Sequence, residues 1–162
     1  VYVIGKTDGH LDQSIFAREI LNEKKGPPPT VNLFNEKNIS ETVLDLSRKN
    51  LIVSCHDVSL GGILTAVSKM CIKGKKGIKI NSLKGLTNKY EYFFSEDQGR
   101  FVIEVSKKNI IDVENVLKES SVHFDELGVV LKDNFIFLGD DKISIDELAK
   151  HNKNWLMEYM TK

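Results

Sequence analysis

The run from Leu51 to Gly62, Leu-Ile-Val-Ser-Cys-His-Asp-Val-Ser-Leu-Gly-Gly, constrains the chain more than any other stretch. A short apolar β run (Leu51-Ile52-Val53, extending to about His56) gives way to polar groups, and an apolar helical run then begins at Ile63 and lasts to Ile72. Strand, tight turn and helix start are therefore compressed into a few residues. Ser59 stands where an N-cap would stand, and Gly61 and Gly62 open the helix. Small residues at a helix N-terminus let an anion approach free backbone N–H groups where the helix dipole is positive. Ser59, Gly61 and Gly62 are thus candidates to hold an anion such as a nucleotide phosphate; the plainer reading is a capped strand-to-helix turn that binds nothing.

What such a turn can serve is bounded by composition. With 162 residues, 41% of them hydrophobic, the chain can bury one core and is too short for two comfortable domains. Lys plus Arg and Asp plus Glu both number 23, and no predicted helix carries a basic stripe, so nothing draws the chain to nucleic acid or to an anionic membrane. Cys55 and Cys71 are the two cysteines, without the spacing of a zinc site, and read as reduced, buried thiols. No apolar run approaches the roughly 20 residues needed to span a bilayer, and no signal-peptide pattern opens the chain, which is expected to be cytoplasmic. It begins directly with the strand-like Val1-Tyr2-Val3-Ile4, as a piece of a longer protein would.

In chain order, that first strand meets a turn, Gly5 to Gly9, and Ile15, Phe16, Ile20 and Leu21 then recur at helical spacing between about Asp12 and Leu21. Gly26-Pro27-Pro28-Pro29 must break the helix and forms a stiff extended spacer. Thr30 is the expected cap of the next helix, with Val31, Phe34, Ile39, Val43, Leu44 and Leu46 as its apolar stripe. After the central turn and its helix, Lys73 to Gly77 is a basic, hairpin-like loop of solvated lysines, and Ile78-Lys79-Ile80 alternates as a half-buried strand does. Residues 83–87 read as irregular and 88–94 as a short helix. Phe101 to Val105 is a strand, preceded directly by the polar run Ser95-Glu96-Asp97-Gln98-Gly99-Arg100. Ser106 is the expected cap of a helix from about Lys107 to Glu119. Short strands follow near 127–131, 135–138 and 142–143, and Ser144-x-x-Glu147 has the pattern of a capping box before a last helix carrying Leu148, Trp155, Leu156 and Met160. The expected class is α/β (α+β), a mixed β-sheet covered by helices.

Cys55, His56 and Asp57 resemble a nucleophile, base and orienter in composition only. Successive strand residues point to opposite faces, so Cys55 and His56 are not placed to share a proton. His56 is either a ligand-facing donor or a ring hydrogen-bonded to a neighbouring loop. Asp57 either faces a ligand or accepts from the turn. His10, His123 and His151 carry no spacing signal. Neither catalytic nor metal-ligating residues are assigned.

Two motifs together, Cys55-His56-Asp57-Val58-Ser59-Leu60-Gly61-Gly62 with Ile63-Leu64, and Phe94-Ser95-Glu96-Asp97-Gln98-Gly99-Arg100-Phe101, resemble the C-terminal domain of the phosphoribosylformylglycinamidine synthase large subunit (PurL). Gly9-His10-Leu11-Asp12-Gln13-Ser14, the triproline connector and Asn154 to Met160 support the likeness, which covers essentially the whole chain. Leu60 departs from the acid or small polar residue common there, and Asp12 from a common glycine. The resemblance implies an aminoimidazole ribonucleotide synthetase C-terminal-domain-like fold, in the last of four domains of a tandemly duplicated subunit, because the polar run reads Ser-Glu-Asp-Gln where the first-half copy usually has Glu-Ser-Gln. It further implies an ATP-dependent ligase of purine biosynthesis whose ATP and Mg²⁺ ligands lie mostly in the N-terminal-type domains. The implied partners are those domains, a glutaminase subunit and a small accessory subunit. The alternative is a non-catalytic auxiliary nucleotide-binding or scaffold domain.

His56, Asp57, Ser95, Glu96, Gln98 and Arg100 are, on this reading, candidates for contact with substrate or with a neighbouring domain. The two motifs can share one sheet edge only if their strands run antiparallel, since one strand ends at its motif and the other begins at its motif. Alternation would leave Gln98 and Arg100 available to a ligand and send Phe101 toward the core; otherwise Glu96 and Arg100 pair across the turn.

Overall fold

The structure, a computed structural model, describes residues 1–81 and 88–161; the irregular stretch expected at 83–87 lies outside them. The elements in order are β1 (Tyr2–Ile4), α1 (Ile15–Glu19), α2 (Leu33–Arg48), β2 (Ile52–Asp57), α3 (Gly62–Gly74), β3 (Gly77–Ile80), α4 (Lys89–Phe94), β4 (Phe101–Val105), a 3₁₀ turn (Lys107–Asn109), α5 (Ile110–Glu119), β5 (Phe124–Glu126), β6 (Gly128–Leu131), β7 (Phe135–Leu138), β8 (Asp141–Ser144) and α6 (Ile145–Met160). The α/β class stands, but the strands divide into two sheets rather than one. The first, ordered β2-β4-β1-β5, is antiparallel throughout; the second, ordered β6-β3-β7-β8, is mixed, with β3 and β7 parallel.

Alternation along β1 and β4 explains how the first sheet holds two cores. Tyr2, Ile4 and Ile103 face one way, onto Val43 and Leu46 of α2 and Val113 and Leu117 of α5. Val3 and Val102 face the other way, onto Ile63, Ala66 and Val67 of α3 and, beyond them, Ile78, Ile80 and Ile136 of the second sheet. Burying a Leu, Ile or Val side chain contributes about 1.5–3 kcal/mol, so a sheet buried on both faces is the fold's main source of stability.

Several element boundaries move for local reasons. α1 is shorter than the periodicity predicts: Ser14 caps it by accepting from the Ala17 N–H, and Ile20 and Leu21 lie exposed beyond its end. Thr30 does not cap α2; Asn32 does, accepting from the Asn35 N–H. Of that helix's expected stripe, Val43 and Leu46 are buried while Phe34 is 79% exposed. Ser106 caps nothing with its side chain, and a 3₁₀ turn precedes α5. Ser144 is at the N-cap of α6 but makes no side-chain capping bond, and Trp155, Leu156 and Met160 are exposed. The basic Lys73 to Gly77 stretch is no hairpin: α3 runs through Gly74, and Lys75, left-handed at φ +51°, returns its N–H to the Cys71 carbonyl. The short helix at 89–94 forms as expected, capped by Asn88. Cys71 is buried, but Cys55 is exposed, on the edge strand β2.

Candidate functional site

β2 and β4 pair antiparallel, with Asp57 opposite Phe101, so the start of the first motif, at the end of β2, and the end of the second, at the start of β4, meet at one end of the sheet, as a shared edge required. The Val58 N–H donates to the Arg100 carbonyl at 2.8 Å and carries the pairing into the turn. A cleft of about 380 Å³ opens here, lined by Asp57, Ser59, Leu60, Glu96, Gln98 and Gly99, with Asp12 and Glu36 on its far wall.

The turn itself differs from its expected chemistry. Ser59 is not the N-cap of α3; Gly61 is, at φ +83°, with no side-chain capping bond. The Gly61 N–H is nevertheless satisfied, because Glu96 Oε1 accepts it at 2.8 Å, and the same oxygen accepts the Ile15 N–H at 2.9 Å. The Gly62 N–H donates to the Ser59 carbonyl. The Gly61 and Gly62 donors assigned to an external anion are thus occupied from within, and the anion at the Gly61 N–H is the chain's own carboxylate. Gly62, at φ +70°, is glycine for a packing reason: a Cβ there would lie 2.5 Å from the Phe93 carbonyl oxygen, so α3 starts against the backbone of α4.

Arg100 does not remain available to a ligand. It is 1% exposed, its Nε donates to the Asp97 carbonyl, its Nη1 to Thr7 Oγ1 and Ser95 Oγ, and its Nη2 to the Ser95 carbonyl at 2.7 Å. Asp97 Oδ2 lies 3.8 Å from Nη1. Burial lowers the guanidinium's affinity for its proton, and Asp97 opposes the effect. Its expected pairing with Glu96 is replaced by this cage, because Glu96 is turned toward the two helix starts. Ser95 is fully buried within the same cage. Phe101 is half-buried and packs against the α2/α5 core.

Strand alternation does not separate His56 from Asp57, since His56 Nδ1 lies 3.3 Å from Asp57 Oδ1. The side chain of Asp57 is exposed, whereas the His56 ring is partly covered and its Nδ1 sits 2.6 Å from the Asp57 carbonyl oxygen. Cys55 lies on the opposite face from His56, so the local triad is absent geometrically. Partial desolvation and then the Asp57 carboxylate raise the Cys55 thiol's pKa, away from thiolate reactivity.

The residue that sequence reasoning missed is Asp97. It is buried, and its carboxylate accepts the N–H groups of Asp8 (3.1 Å), Gly9 (3.0 Å) and His10 (3.2 Å), tying the loop after β1 to the polar run. That loop in turn holds the triproline connector, through His10 Nε2 against the Pro27 carbonyl oxygen (2.9 Å) and Gln13 Nε2 donating to the Gly26 carbonyl (3.1 Å). The available signal was the turn-forming Gly9 and the acid inside an otherwise polar run. The carboxylates in and near the cleft do not fit a metal: among the described residues no three His, Cys, Asp or Glu side chains converge to hold one. With the Gly61 and Gly62 donors occupied, Ser59 is the member of the candidate anion set left exposed on the cleft.

An α/β domain with a Gly-Gly turn sealed by an internal glutamate, and a polar run folded around a buried arginine, is the class of protein defined so far. Residues 1–141 match the family described as "AIR synthase related protein, C-terminal domain", and the chain belongs to that family. It is 60% identical over 158 residues, 98% of this chain and 22% of the relative, to a Pelagibacter ubique protein named phosphoribosylformylglycinamidine synthase subunit PurL. A Bartonella tribocorum protein of the same name is 33% identical over 160 residues, again 22% of its length. The chain therefore spans about a fifth of the curated relatives it matches. A solved structure titled "T. maritima PurL complexed with FGAR" superposes with a TM-score of 0.73 at 20% identity, covering 92% of this chain and 27% of that one. The fold is thus that of the expected superfamily. Among the described residues no helix is long and apolar enough to cross a membrane.

Proposed function

We propose that this chain is the last C-terminal domain of a phosphoribosylformylglycinamidine synthase large subunit. The whole enzyme converts formylglycinamide ribonucleotide to the amidine in purine biosynthesis. ATP phosphorylates the formamide oxygen, ammonia released from glutamine adds to the activated carbon, and phosphate leaves. The observation that carries this reading is the 60% identity along 98% of the chain to the P. ubique subunit. A similar fold is recorded in a structure titled "T. maritima PurL complexed with ATP" and in one titled "Structure of PurLQS from Thermotoga maritima".

On this reading ATP and Mg²⁺ are held by N-terminal-type domains of the same subunit, the glutaminase and small accessory subunits complete a cytoplasmic complex, and neither nucleic acid nor membrane is a partner. This chain supplies one wall of a cleft. Asp57, Ser59 and Gln98 are the members of the two motifs presented to a neighbouring domain or substrate, while Ser95, Glu96 and Arg100 hold that wall's shape, and His56 sits behind it. The isolated chain has no synthase activity, because phosphoryl chemistry needs positioned charges that it lacks.

The test is complementation in trans. A subunit truncated before this domain should be inactive, the 162-residue chain alone should form no amidine from substrate, ATP and ammonia, and mixing the two should restore product. Full activity in the truncated subunit would sink the reading. A second reading is a non-catalytic domain, either a buttress or an auxiliary nucleotide-binding domain, and the internal occupation of the Gly61 donor by Glu96 favours the buttress. Native mass spectrometry of the intact subunit distinguishes the two roles: an auxiliary nucleotide held here would be lost in a Gln98→Ala variant and would not turn over.

A further inference from the structure

The lysine-rich stretch after α3 and the outer edge of β2 are used by nothing described so far, and they border one groove. β2 is an edge strand: among the described residues it pairs with β4 alone, and Val53 is 62% exposed. Such an edge presents unpaired N–H and C=O groups that template another strand unless something blunts it. A register shift between Ile52 and Ser54 blunts the first half of β2, but Ser54 to Asp57 run in regular register with β4. Beside this regular half lies a groove of about 740 Å³, floored by the partly exposed Met70, Ile72 and Val130 over the buried Val67, Ile78 and Val102. Ser54, Cys55 and His56 of β2 line its side.

The charge around the groove is predominantly positive. Lys69, Lys73, Lys75, Lys76 and Lys153 line it, and Glu104 is the one acid among its lining residues, already accepting from Ser54 Oγ at 2.9 Å. A regular free edge gives main-chain hydrogen bonds, an apolar floor takes alternate side chains, and a cationic rim selects for acidic ones. Those three properties describe one occupant.

We propose that the Ser54 to Asp57 edge and the adjoining groove dock an extended segment of a partner polypeptide in which acidic and apolar residues alternate. The segment adds as a strand to β2, its apolar side chains enter the groove, and its carboxylates meet the lysines. The proposal does not depend on the synthase reading.

The test uses the full-length protein that carries this domain and a roughly ten-residue peptide alternating glutamate with leucine. Added peptide should slow hydrogen exchange of the Cys55 and Asp57 amides, which face away from β4, roughly tenfold at saturation, and the triple variant Lys73→Glu, Lys75→Glu, Lys76→Glu should weaken its Kd roughly tenfold or more, while Lys24→Glu leaves it unchanged. A peptide N-methylated at alternate residues should not bind, and a lysine/leucine peptide should bind far more weakly. Absence of binding, equal binding of the two charge types or of the N-methylated form, or Cys55 and Asp57 amides already protected without peptide would each overturn the proposal. Circular dichroism of the triple variant confirms that it is folded before its Kd is compared.

Discussion

Glu96 is the point at which the structure is most open to test. One carboxylate oxygen accepts the Gly61 N–H at 2.8 Å and the Ile15 N–H at 2.9 Å, joining the polar run to the starts of α3 and α1. Each hydrogen bond to a charged group contributes about 1.5–3 kcal/mol, and nearness to a helix N-terminus adds about 0.3–1 kcal/mol, so the ceiling for Glu96→Ala is about 7 kcal/mol. Both bonds are only partly buried, and water entering the gap would recover much of this, leaving an expected loss of about 2–3 kcal/mol. With a urea m-value of about 2 kcal/mol/M, the unfolding midpoint should fall by about 1–1.5 M. Glu96→Gln keeps an acceptor of the same shape without the charge and should lose about 1 kcal/mol. The assay is equilibrium urea unfolding of the 162-residue chain, with amide exchange at Gly61 and Ile15 as the local readout. An alanine variant within about 0.5 kcal/mol of the parent, or unchanged exchange at both amides, would refute the reasoning.

Gly62→Ala should cost about 2 kcal/mol or more, because the residue sits at φ +70° with its would-be Cβ 2.5 Å from the Phe93 carbonyl oxygen; a neutral effect on the urea midpoint would contradict that. Arg100→Met should cost about 3–5 kcal/mol by removing the partner of Asp97 and leaving the Ser95 carbonyl without its donor, and a more stable variant would mean that the cage is not well satisfied. Stability should also fall at alkaline pH. Burial pushes the Cys71 thiol up from 9.0 to about 11, and burial with the Glu114 hydrogen bond pushes the Tyr2 hydroxyl up from 10.0 to about 12. The unfolded chain therefore gives up these protons first, so the contribution is whole below pH 9 and is lost as pH rises through 11 and 12. Urea midpoints flat from pH 8.5 to about 11 would refute this.

Local chemistry was legible in the sequence wherever it is settled within a few residues. The β2-turn-α3 unit, the short helix behind Asn88 and the strand after Arg100 follow from apolar runs and glycines, and the motif positions set the condition, antiparallel strands, that the β2–β4 pairing meets. Convergence from afar was not legible. Arg100 looks like a surface residue until Thr7, 93 positions away, and the Ser95 carbonyl close around it. β5 has the sequence Phe-Asp-Glu, too short and acidic to announce a strand, and exists because β1 offers it a partner. Periodicity misled where a face meets nothing in this chain: Phe34 and Trp155 keep helical spacing with core residues yet are 79% and 58% exposed.

The two glycines show most directly how the same residues serve different physics. A Gly-Gly pair at a helix start permits close approach, and sequence alone leaves open what approaches. Here α4 approaches Gly62, and Glu96 approaches Gly61. The consequence for any ligand is electrostatic. Asp12, Glu36, Asp57 and Glu96 all line the cleft, and Arg100, the one cation among its lining residues, is committed to Ser95, Thr7 and Asp97. One oxygen of Glu36 is buried there with no hydrogen-bond partner. Opposite charges 4 Å apart attract by about 4 kcal/mol at an effective dielectric of 20, and like charges repel as strongly, so this wall by itself resists a phosphate. A phosphate-bearing molecule can sit against it only where a neighbouring domain brings cations of its own, and what the wall accepts unaided is a hydrogen-bond donor: a hydroxyl, an amide or a basic side chain. Phosphate titrated against the chain alone should leave the amide NMR signals of Gly61 and Gly62 in place, while Glu96→Ala, which frees the Gly61 donor and removes one negative charge, should let them shift. Shifts at these two amides in the parent chain would show that the internal carboxylate yields its place to an external anion.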